Sequence, residues 1–166
     1  MGRVGAGSSY GSGVDLAPDD PWASYARTVV EVERPGAPLV VRAAPPGAVG
    51  LWPWPDAAVV HILTAWDPGD ERPGVAVNRE RQASLEEDLR PLATGRWRAV
   101  GVDPDSGHRE EGVAVTGVSE ETALELGARY RQDAIFAWTP EAWAIVACAG
   151  GRRVVLGWAV AVGATG

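Results

Sequence analysis

Six polar side chains that could do chemistry fall in three short stretches: Thr64 and Asp67 in LTAWDP, Asn78, Arg79 and Arg81 in NRERQ, and Gln132 in RYRQDA. Asn78 is the only asparagine and Gln132 one of just two glutamines. Amides used so sparingly either satisfy buried backbone groups around the intervening loop or orient a ligand. The neighbouring arginines could clamp a carboxylate or phosphate through paired N–H donors. Asp67 could act as a general base, with Thr64 and Asn78 orienting the substrate, provided its carboxylate opens onto a cavity.

Other chemistries lose their residues at once. All 15 basic residues are arginine, so no lysine exists to form a Schiff base or to bind a nucleotide phosphate. Cys148 is the single cysteine, which rules out a disulfide within the chain and a multi-thiolate metal site; its apolar run AWAIVACAG suggests a buried, inert thiol. His61 and His108 cannot form a helical zinc pair, and neither a metal nor a cofactor is expected. His61 lies among aliphatic residues and reads as a core histidine, whereas His108 sits in a solvent-facing turn. Glu110 and Glu111 open a strand and are expected away from the Thr64–Pro68 edge, so no pair of acids brackets a substrate. With 22 acidic residues against 15 basic ones the net charge is −7, which disfavours nucleic acid and anionic membranes as partners.

The elements that must position these side chains follow from periodicity. The length of 166 residues fits one domain. Residues 1–21, rich in Gly and Ser, read as a flexible tail, and residues 22–166 as the folded unit. No apolar leader follows Arg3 and the longest apolar run, VVLGWAVAVGA, is about half a membrane span, so a cytoplasmic location is expected. The runs YARTVVEVER and PLVVRA suggest a hairpin. In the linker PPGAVGLWPWPD, Trp52 and Trp54 either cap the core or form a binding patch, and the cost of exposing large aromatics argues for the cap. The run AAVVHILTAW is apolar on both faces and needs cover on both sides. Asn78, Gln82, Leu85 and Leu89 share one face of a helix. A hairpin turning at DPDSGH comes next, then a helix capped by Ser119, then the strands DAIFAW, AWAIVAC and VVLGWAVAV.

From residue 57 to 147 the order strand, helix, strand, strand, helix, strand is that of a split βαβ unit. The expected fold class is therefore α+β, with a ferredoxin-like βαββαβ core widened by an N-terminal hairpin and a C-terminal strand. In that arrangement Thr64 to Pro68, Asn78 and Gln132 converge on one sheet edge.

The strings HILTAWDP, NRERQASLEEDL, EEGVAVTGV and GARYRQDAIFAW also resemble a bacterial family known only as domain of unknown function 3293, over roughly residues 57–138. Thr64, Ala65, Pro68, Asn78, Leu85, Leu89, Glu111 and Gln132 match its pattern. Asp67 stands where the family usually has Asn, and Gly112 where Ser is common. The resemblance implies no activity. The residues themselves suggest a non-catalytic module binding a small molecule or a protein partner; the alternative is a small enzyme with Asp67 as base. Association also stays open: a wide sheet with two helices has a face to cover, which a dimer could do. The surplus acidic charge and the hairpin favour a monomer instead.

Overall fold

The computed structural model describes residues 16–163. Its elements in chain order are α1 (Ala23–Arg27), β1 (Val29–Val32), β2 (Leu39–Ala44), β3 (Val60–Thr64), α2 (Val75–Leu89), β4 (Gly95–Val102), β5 (Arg109–Thr116), α3 (Glu120–Arg129), β6 (Ala134–Trp138), β7 (Trp143–Ala147) and β8 (Arg153–Val162). The eight strands form a closed barrel in the order β1-β2-β8-β7-β6-β3-β5-β4, with every pairing antiparallel. The seam is the β1–β4 pairing, where Val29 lies opposite Val102 and Val32 opposite Ala99.

This corrects the expectation of a ferredoxin-like α+β sheet. β6, β3, β5 and β4 are neighbours, but they make half of a barrel wall and not an open sheet with free edges. The reason lies in the flanking strands. The N-terminal hairpin neither widens a sheet nor curls over its face, because β1 pairs along β4 while β2 pairs along β8, from Leu39 opposite Val162 to Ala44 opposite Gly157. Together with β7 these strands consume both edges, and closure satisfies backbone groups that an open sheet would leave exposed. A flexible tail over residues 1–21 lies mostly outside the described residues; within reach, Ala23–Arg27 is a short helix where strand had been expected to begin at Tyr25.

An eight-stranded barrel is just wide enough to be filled by side chains. Here the filling is aromatic: Trp138, Trp143 and Trp158 are fully buried, and Trp52 and Trp54 close the end of the barrel opposite the loop after β3. Trp52 packs edge-on against Trp138 and Trp158, at ring-centroid distances of 5.4 and 6.1 Å, and its indole N–H donates to the Ala57 carbonyl at 2.9 Å. The tryptophan loop is thus a cap. Leu156 and Trp158 of β8 are buried in the same interior and Val154 and Val160 pack partly buried against it, while Val162 at the end of the strand is exposed. Across the strand, the small face closes on loop backbone: a Cβ on Gly157 would stand 2.1 Å from the Ala48 carbonyl oxygen.

A second core lies outside the wall. Leu85 and Leu89 of α2 and Ala123 and Leu126 of α3 pack on Leu63, Val113, Val115, Ile135 and Ala137. β3 is therefore covered on both faces, by the barrel interior and by the helices, which explains its unbroken apolar run. His61 faces the helix side at 1% exposure, and burial holds its pKa below the usual histidine value.

Candidate functional site at the barrel mouth

Antiparallel pairing of β3 with β5 places Thr64 opposite Gly112, so the chain leaving β3 runs beside the start of β5. The Thr64 hydroxyl donates to the Glu111 carbonyl at 2.6 Å and accepts from the Trp66 N–H at 3.0 Å, which bends the chain out of the sheet. Asp67 follows with φ 43°, a left-handed conformation that aspartate tolerates better than most residues. Its position is fixed by Asn78 in the first turns of α2. The Asn78 Oδ1 accepts from the Asp67 N–H at 2.9 Å, and the Asn78 Nδ2 donates to Asp67 Oδ1 at 2.8 Å.

The other candidates from the sequence divide. Gln132 donates to the Trp66 carbonyl at 3.0 Å and belongs to the same knot. Arg81 is spent on backbone, with Nε donating to the Ala65 carbonyl at 2.9 Å and Nη2 to the Tyr130 carbonyl at 2.6 Å. Arg79 is exposed and takes no part. No arginine clamp for an anion is assembled from these two. Gln82, unassigned beyond its helix face, accepts from the Ala65 N–H at 3.0 Å. Thr64, Asn78, Arg81 and Gln132 thus hold the loop, and among the six candidates Asp67 and Gln132 line the open space beyond it.

That space is a cleft of about 460 Å³ between the loop after β3, α1, the β4–β5 turn and the start of β6. Its carboxylates are Asp67, Asp70, Asp103, Glu110 and Asp133, against the guanidinium groups of Arg72 and Arg131. At its floor, Glu110 and Tyr25 also border a small apolar pocket of about 70 Å³ lined by Ile62, Ala99 and Phe136, which leads into the barrel. Burial pushes the Glu110 carboxyl above the usual glutamate range, opposed by its hydrogen bond with His108. Burial, then the Asp133 and Glu110 charges, push the Tyr25 phenol up to about 12.

Glu110 and Glu111 were expected away from this edge, but Glu110 lines the cleft, while Glu111 accepts from Arg98 outside it; His108, expected in a solvent-facing turn, is half exposed and also lines the cleft. Counting along β5 put Glu110 far from the β3 terminus, but in an antiparallel pair the start of one strand adjoins the end of the other. His108 Nε2 lies 3.2 Å from Glu110 Oε1 and 3.5 Å from Asp67 Oδ2. One ligand atom from each of Asp67, His108 and Glu110 lies within 4.8 Å of the other two. The sequence signal that could have found them was the hairpin register, since the turn at 103–108 must overhang the end of β3.

As a general base, Asp67 is poorly placed. It does border the cleft, but its side chain is only 7% exposed, Oδ1 is bonded to Asn78, and Oδ2 lies 3.7 Å from the Arg72 guanidinium. Cys148, by contrast, is away from Asp67, His108 and Glu110, and burial pushes its thiol up to about 11.

Comparison with known proteins adds a boundary to this geometry. Residues 63–135 match the profile of a family described as "Protein of unknown function (DUF3293)". No curated protein and no solved structure matches the chain. The matched stretch runs from the end of β3 to the start of β6 and contains Asp67, Asn78, His108, Glu110 and Gln132, and over those residues the chain is similar to the DUF3293 family.

Proposed function

We propose that the protein is a non-catalytic binding module that takes a small cationic ligand in the cleft at the barrel mouth. The observation that carries this reading is the charge of the cleft, five carboxylates against two arginines around one concave space. A concave space lined by one sign of charge in excess focuses the field of those carboxylates and concentrates cations there. The absence of a free arginine clamp removes the argument for an anionic ligand, because Arg81 is committed to backbone carbonyls. The engaged Asp67 carboxylate likewise weighs against general-base catalysis.

The reading is tested by thermal-shift screening at low salt with small amines and divalent cations against matched carboxylates and phosphates. A ligand at 100 times its Kd stabilises a protein by about 2.7 kcal/mol, or roughly 5–10 °C for a domain of this size. Cations should raise Tm on that scale and lose the effect in Asp67→Asn combined with Glu110→Gln. Stabilisation by the anions alone, or by neither class, would overturn it.

A further inference from the structure

We propose that Asp67, His108 and Glu110 form a binding site for a first-row divalent transition-metal ion, an inference that rests on the reading of the cleft as a cation site. With metal–ligand bonds of about 2.0–2.2 Å, neighbouring ligand atoms stand about 3.0–3.5 Å apart and opposed ones about 4.2 Å. His108 Nε2 is already 3.2 Å from Glu110 Oε1 and 3.5 Å from Asp67 Oδ2. The His108 Nε2–Glu110 Oε1 pair is itself a hydrogen bond, which an ion bound between the two groups would replace.

A second feature is the support behind the buried donor. Metal-binding carboxylates are usually hydrogen-bonded through the oxygen that does not bind, which fixes the other in place. Asp67 has this arrangement: Asn78 holds Oδ1, and Oδ2 is left turned toward His108 in a side chain that is 7% exposed. The scarce amide of the sequence therefore acts as a positioning residue. The three donors come from the β3 exit, the β4–β5 turn and the second residue of β5, next to or within the β3–β5 and β4–β5 ladders of the barrel wall.

Charge completes the argument. Two carboxylates and one imidazole offer a formal charge of −2, which a divalent ion neutralises. The competing guanidinium of Arg72 is 66% exposed, donates through Nη1 to the Glu71 and Gly69 carbonyls at 2.8 and 3.4 Å, and brings its Nε only to 3.7 Å from Asp67 Oδ2. One nitrogen and two oxygens, with no thiolate, suit zinc, manganese, iron or nickel. They do not suit calcium, which takes six to eight oxygens. Coordination positions left open by the protein face the cleft.

The test is calorimetric titration of metal-stripped protein with zinc sulfate, alongside the visible spectrum of the cobalt(II)-loaded form. We expect one ion per chain, a loss of affinity of about 100-fold in His108→Ala and Glu110→Gln, and a loss of about 10-fold in Asn78→Ala with a changed cobalt spectrum. His108 lies in an exposed turn, so its variant should keep the wild-type circular dichroism and Tm, separating lost binding from lost folding. Zinc binding that is equally tight in His108→Ala and wild type would overturn the metal site. So would a protein that small amines stabilise but zinc does not bind, and in that case the cleft reading survives. Failure of both zinc and amines would overturn the two together.

Discussion

Cys148 and His61 show what burial does to single side chains in this protein. Burial first, then the Asp133 charge, pushes the Cys148 thiol up to about 11, so at pH 8 only about one in a thousand is thiolate, the reactive form. Iodoacetamide at that pH should label native Cys148 at least about 100-fold more slowly than the urea-unfolded chain, and equal rates would show the thiol to be free. For His61, burial lowers the folded pKa below the unfolded value of about 6.5, so the unfolded chain binds the extra proton. Stability is therefore full above that pH and falls as pH drops through it. Urea midpoints measured between pH 8 and 5 should decline, and His61→Leu should flatten that part of the decline. At the mouth, the scarcity of amides made Asn78 and Gln132 legible from sequence, and a strand end followed by Pro68 marked Thr64 and Asp67. His108 and Glu110 were not legible, because their place depends on the direction of β5 against β3 and not on their own residue type.

Among the elements, the two long helices could be read directly. Asn78, Gln82, Leu85 and Leu89 are the buried residues of α2, and Ser119 caps α3 by accepting from the Thr122 N–H at 3.2 Å. Ser119→Ala should cost about 1 kcal/mol, measured by urea denaturation. Gln82→Leu should cost more, about 2 kcal/mol, because it removes the acceptor of the buried Ala65 N–H and leaves that donor unsatisfied. If the order of the two were reversed, Gln82 would be only a filler of the helix face. The short α1 escaped the periodicity because five residues are too few to show a 3.6-residue period beside a β-branched run. Its sequence merges with that of β1, yet it is α1 that supplies Tyr25 to the cleft.

At the scale of the molecule, the number and order of the segments from residue 57 onward were legible, but closure was not. Local patterns show that β1, β2, β7 and β8 are strands; which edges they pair with depends on contacts far apart in sequence, as between Leu39 and Val162. The alternating face of β8 was visible, while its target, the aromatic barrel interior, required the closed wall. Trp158 is 1% exposed there and donates to the Thr139 carbonyl at 3.0 Å. Trp158→Glu should accordingly cost several kcal/mol and give unfolded or aggregated protein, through burial of an unpaired charge. A folded variant with a changed elution volume would instead place Trp158 at an interface between copies. Closure also makes the site: it fixes the ends of β3, β5 and β6 around one mouth, with the tryptophans sealing the other. Titrating ¹⁵N-labelled protein with micromolar manganese(II) tests this most directly, since the paramagnetic ion broadens the amides nearest to it. The barrel-mouth site predicts selective loss of the signals of residues 67–70, 103–110 and 131–133. Uniform broadening, or broadening centred on the tryptophan-sealed end, would contradict it.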